Sequence, residues 1–230
     1  MNFKYPYAIS LGSSCVARRF IDVYKLSKEY LFFDWIGSSM WAVNKLVESE
    51  FQGLDNFDDY VPLVIKPSDQ KKIITHREFY LRFLHDFPPY IHSRGLTLNY
   101  QPEKEHMEKT IIKYKRRAER FIDIISTLKQ ILFVRFEEDQ IDRIKYEKYA
   151  EEPKDELEQL FKLTSMIKVL NPLLDFQILF FSKTHLTKRY FDERVFVVGF
   201  KHNIDWHNCA KELPSLINQN KEFLAPILNQ

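Results

Sequence analysis

The chain alternates between short apolar runs and longer segments whose apolar positions recur every three or four residues. Four runs read as strands: 7–11, 131–136, 176–181 and 195–200. They are continuous rather than alternating, which suits strands covered on both faces, as in a parallel sheet. Between them, residues 103–129 carry Met107, Ile111, Tyr114, Ala118, Phe121, Ile125 and Leu128 at helical spacing, one long amphipathic stripe. A second stripe runs over 153–170 through Leu157, Leu160, Phe161, Thr164 and Ile167. Pro153 and the acidic residues after it suit the first turn of that helix, and Asn171-Pro172 ends it.

Strand–helix alternation predicts an α/β fold in one domain over 1–230: a layered, mostly parallel sheet flanked by helices. Residues 52–102 fit it least. They hold five prolines when Pro102 is included and no long period, and read as an irregular excursion with one short helix near 77–84. The charged stretch 136–153 reads as a solvated connection.

Composition narrows the function. Apolar residues make up 45% of 230, including 20 Phe and 12 Tyr, enough for a sizeable core. Five glycines are few for a Gly-rich nucleotide loop, and a net charge of +2 makes no electrostatic case for nucleic-acid binding. Two cysteines build neither a disulfide scaffold nor a structural zinc site, which points to a reducing compartment. The first residues lack a signal-peptide pattern, and no apolar run approaches the roughly 18 residues of a membrane span. The expectation is a cytoplasmic protein without metal or other cofactor.

Candidate chemistry begins at "SLGSSC". If a strand ends at Leu11 and a helix opens at Cys15, Gly12 permits the tight turn and Ser13 or Ser14 caps the helix. The helix N-terminus then favours thiolate at Cys15, and N–H groups after Gly12 are available to an oxyanion. The alternative is a small buried residue packing helix onto sheet. A nucleophilic thiol needs a base, for which His85, beside Asp86, and His202, after the last strand, are rivals. Asn203 or Asp205 is the partner open to His202. Asp34, a charge inside an apolar run, either orients a histidine or pairs with an arginine. His202, His207 and Cys209 match no standard zinc spacing. Finally, Lys109, Lys113, Arg116, Arg117 and Arg120 line one helix face, and Arg135 ends the next strand. That is either a solvated face or a site for phosphate or carboxylate.

The ordered set "SLGSSC", "FFDWIGSS", "FLHDF", "YKRRAERF" and "ILFVRF" resembles a family of putative papain-like cysteine peptidases, a domain of formerly unknown function in bacteria and large DNA viruses. The resemblance implies Cys15 as nucleophile, His85 as base, and Asp34 or Asp86 as the orienting acid. Two functions therefore stand as expectations. One is a cysteine-dependent hydrolase acting on a peptide or small molecule. The other is a glycosyltransferase-like enzyme holding a nucleotide-sugar through Arg116, Arg117, Arg120 and Arg135.

Overall fold

The computed structural model describes residues 2–66, 71–83, 85–86, 103–137, 155–190, 193–200 and 208–229. Elements are numbered in chain order: β1 (Ala8–Ser10), α1 (Cys15–Tyr24), β2 (Ile36–Gly37), α2 (Met40–Glu48), β3 (Tyr60–Lys66), β4 (Lys71–His76), β5 (Arg82–Phe83), α3 (Lys104–Thr127), β6 (Gln130–Phe136), α4 (Glu156–Leu170), β7 (Asp175–Ser182), β8 (Lys188–Tyr190), β9 (Val195–Gly199), α5 (Cys209–Gln219) and α6 (Lys221–Leu224).

The four apolar runs become the parallel part of a five-stranded sheet, in the order β1-β6-β7-β9-β8. Only β8 at the edge is antiparallel. Side chains alternate between two covered faces, which is why each run is apolar throughout. Ile131, Phe133, Ile178 and Phe180 belong to a core shared with α2, α3 and α4. Leu132, Val134, Leu179 and Phe181 face the other way, onto α1 and α5. The mostly parallel sheet flanked by helices is the architecture expected from the sequence.

The predicted stripe of α3 is the buried one: Met107, Ile111, Tyr114, Ala118, Phe121 and Ile125 all face the core. Asp155 caps α4 by accepting from the Leu157 N–H at 2.8 Å. Pro153 lies outside the described residues, as does most of the charged stretch. At the other end of α4, the Asn171 amide donates to the Ile125 carbonyl at 2.8 Å and ties the ends of α3 and α4 together.

The Pro-rich region needs correction. Its described residues are not irregular: β3, β4 and β5 lie among them and join β2 in a four-stranded antiparallel sheet, ordered β2-β5-β4-β3. Pro62 sits on β3, the edge strand, where a missing N–H is tolerated. The helix expected near 77–84 is a turn followed by β5. Tyr80 has φ +51°, outside the helical region, and the His76 N–H donates to the Leu81 carbonyl at 2.9 Å. Ile74 and Phe83 then pair across the two strands and enter the same core as Ile9 and Phe133.

Among the described residues, no helix is long and apolar enough to cross a membrane. No group of three or more His, Cys, Asp or Glu side chains gathers as a metal cluster among them either.

Candidate functional site

At the carboxyl edge of the parallel sheet the chain leaves β1 and turns into α1. Gly12 (φ +76°) and Ser13 (φ +73°) are both left-handed, and Ser14 caps α1 by accepting from the Val16 N–H at 3.3 Å. Gly12 is obligatory: a Cβ there would run into the Ser38 hydroxyl, and its φ disfavours any side chain. Cys15 is therefore the first residue of α1, partly exposed.

Two expectations for this turn change. Burial pushes the Cys15 thiol above its usual range, offset only in part by its own backbone N–H. Desolvation thus outweighs the helix terminus, and the resting sulfur is held as thiol. Two N–H groups of the turn are also engaged. The Gly12 N–H donates to Ser10 Oγ at 3.1 Å and the Ser13 N–H to Ser38 Oγ at 3.4 Å.

The small antiparallel sheet docks on this turn. Ser38, directly after β2, supplies the hydroxyl that receives Ser13. Arg82 of β5 donates to the Ser13 carbonyl at 3.4 Å. Three residues beyond Arg82 comes His85, exposed, its ring edge-on to Trp35 with centroids 5.4 Å apart. Burial lowers the His85 pKa, leaving the ring neutral at neutral pH.

Neither proposed orienting acid bonds to His85. Asp86 accepts from Lys113 and, at 2.6 Å, from the Tyr114 hydroxyl. Asp34 is buried and accepts from Arg18 Nη1 at 3.3 Å and from the Leu31 N–H at 2.7 Å. The arginine-pairing role weighed for Asp34 is the one the geometry displays. Even with Arg18 beside it, burial raises the Asp34 carboxyl to about 6. His202 and its neighbours through His207 lie outside the described residues.

The arginines do not gather as one anion site. Arg135 is fully buried. Its Nε and Nη2 each reach a Glu156 oxygen at 3.0 Å, and its Nη1 donates to the Leu11 carbonyl at 2.8 Å. Fully buried and paired with Glu156, this guanidinium is out of reach of a phosphate, contrary to expectation. Arg116 is exposed on α3. Arg117 lies over the rings of Tyr30 and Tyr114, at 5.8 and 5.3 Å, and Arg120 donates to the Tyr30 carbonyl at 3.4 Å.

Three of the quoted motifs nevertheless meet. Asp34 and Trp35 come from "FFDWIGSS", His85 and Asp86 from "FLHDF", and Tyr114 and Arg117 from "YKRRAERF". Arg18, one turn into α1 from Cys15, joins them: its guanidinium stands 4.6 Å from the Tyr30 centroid.

One group at the same carboxyl edge is missing from the sequence reading. His185 follows β7, with Nδ1 3.0 Å from both Ser182 Oγ and Thr184 Oγ1 and Nε2 3.3 Å from Asp155. Glu137 binds both of those hydroxyls and the N–H groups of Lys183 and Thr184. Position just past a strand's carboxyl end, the same signal that marked His202, would have found His185.

The profile of the family described as "Putative papain-like cysteine peptidase (DUF1796)" matches residues 7–186, from the start of β1 to just past His185. A protein of Acanthamoeba polyphaga mimivirus, itself uncharacterised, is 26% identical over 178 residues, covering 69% of this chain and 70% of its own length. No solved structure matches. With more than half of its length under that profile, the chain belongs to the family of putative papain-like cysteine peptidases.

Proposed function

We propose that the protein is a cysteine-dependent hydrolase acting on peptide bonds, with Cys15 as nucleophile and His85 as its base. The observation that carries this reading is the position of Cys15. Its thiol opens α1 at the carboxyl edge of the sheet, partly exposed, where the antiparallel sheet bearing His85 docks. Arg82, three residues before His85, makes the contact with the turn, and three residues of chain span at most about 10 Å, which bounds the separation of the His85 and Arg82 backbones.

In the first step the Cys15 sulfur attacks the substrate carbonyl carbon while its proton passes to the neutral His85 imidazole. In this reading N–H groups at the start of α1 stabilise the developing oxyanion. The imidazolium then protonates the leaving amine, and water, deprotonated by the same ring, hydrolyses the thioester. In this reading substrate binding brings the Cys15 thiol and the His85 imidazole into proton-transfer geometry. Catalytic contacts that are loose without substrate commonly tighten with it.

The test is hydrolysis of a fluorogenic peptide library by wild type, Cys15→Ala and His85→Gln. The expected result is loss of at least about 100-fold in both variants with unchanged melting temperature. Full activity in Cys15→Ala would overturn the assignment. The nucleotide-sugar alternative loses Arg135, which is buried against Glu156.

A further inference from the structure

Beside the Cys15 turn, three rings stand in a row at the surface. Tyr30 and Trp35 are 6.1 Å apart between centroids, and Trp35 and His85 are 5.4 Å apart. Tyr30 is 45% exposed, although it is a large ring next to a folded core. Two guanidiniums share that ring, and they differ in kind. Arg18 is buried and fully used: Asp22 takes Nε and Nη2, and the carbonyls of Glu29 and Ser27, with Asp34, take the rest. Arg117 is only half-buried and forms no ion pair among the described residues. Its guanidinium carbon lies 5.8 and 5.3 Å from the Tyr30 and Tyr114 ring centroids, and these contacts restrain the side chain before a ligand binds.

Two carboxylates lie in this neighbourhood and each has a cation of its own: Asp34 pairs with Arg18, and Asp86 with Lys113. Lys113 lies one turn away on α3, and burial, followed by the charge of Arg117, lowers it to about 8.

We infer that Arg117, with the ring row Tyr30–Trp35–His85, forms a substrate subsite for a carboxylate-bearing peptide residue next to an aromatic one. The guanidinium fork receives the carboxylate, and the exposed rings receive the flat neighbour. The inference rests on the hydrolase reading for its choice of a peptide. The fork itself suits phosphate as well, so the experiment separates the two sources.

The experiment is calorimetric titration of Cys15→Ala protein, which binds without turnover. The probes are the capped peptide acetyl-Gly-Glu-Tyr-Gly-amide, its Gln-Tyr counterpart, and inorganic phosphate. The Glu peptide is expected to bind at least about tenfold more tightly than the Gln peptide, and Arg117→Gln to abolish that preference. Tyr30→Leu, an exposed change that leaves the core untouched, should weaken both peptides together. Equal binding of the two peptides, or no binding of either, overturns the subsite. So does a preference that survives Arg117→Gln. Phosphate binding more tightly than the Glu peptide overturns the peptide assignment. Cleavage assays with wild type test the Cys15 mechanism separately, so one can fail while the other stands.

Discussion

Arg135 and Arg117 lie on adjacent elements, β6 and α3, and have opposite lives. Arg135 is sealed beneath the carboxyl edge, bidentate to Glu156 and bonded to the carbonyl at the base of the Cys15 turn. Arg117 stands at the surface, held by rings rather than by a carboxylate. The first is part of the scaffold; the second has donors to offer. Residue type and sequence neighbourhood made them equals as anion binders. What separates them is whether another part of the chain has already supplied the counter-charge.

The sharpest way to break this contrast is to remove the counter-charge. Glu156→Ala leaves a buried guanidinium with one carbonyl, and should cost about 3–5 kcal/mol in urea unfolding. A loss under about 1 kcal/mol would mean that Arg135 finds water, and that it is not the scaffold residue described here.

A second effect belongs to the antiparallel sheet. His76 is fully buried against Tyr60 and Phe79, and burial lowers it from 6.5 to about 4. Its neutral form is therefore the folded one. Above pH 6.5 both folded and unfolded states are neutral there and the stability is intact. As pH falls from 6.5 toward 4 the unfolded state takes up a proton that the folded state refuses, and stability declines by about 3 kcal/mol at most. His76→Gln, measured over the same range, should flatten that limb.

Gly12→Ala comes next. It strains a left-handed position and drives a methyl into the Ser38 hydroxyl, with an expected cost of about 1–3 kcal/mol. It should also alter Cys15 labelling. In wild type, iodoacetamide should modify Cys15 slowly at pH 7 and faster as pH rises, since burial holds the thiol protonated. Cys209, fully buried and pushed up to about 11, should react only on unfolding. Equal rates for the two thiols in native protein would contradict the geometry of the turn.

The smallest effect closes the comparison. Arg117→Gln should cost no more than about 1 kcal/mol, because it gives up contacts with the Tyr30 and Tyr114 rings but no ion pair. A large loss would turn Arg117 into a second Arg135 and remove the reason to see it as a ligand group.

Legibility followed the range of the contacts. β6, β7 and α3 announced themselves because each repeats a simple pattern over many residues: continuous apolar runs for strands covered twice, a 3.6-residue stripe for the helix. β2 and β5 are two residues long and carry no period at all. They exist because Ile36 and Phe83 pair with each other, and Phe83 with Ile74, within the shared core. Pro-rich composition suggested irregularity there, yet an edge strand accommodates Pro62 without loss. At the site, the turn through Gly12 to Cys15 was readable from residue types, whereas the protonation of the thiol was not, since it depends on what packs over it.

By itself the chain determined a layered α/β sheet, a helix opening at Cys15, and a set of motifs that belong together. Local sequence suffices for these because backbone geometry and hydrophobic period act over neighbouring residues. Tertiary structure alone decided which charges are spent. Asp34 on Arg18, Asp86 on Lys113 and Tyr114, and Glu156 on Arg135 are pairings across 16 to 28 residues of chain. Desolvation and Coulomb attraction depend on distance in space, and no pattern along the chain records it.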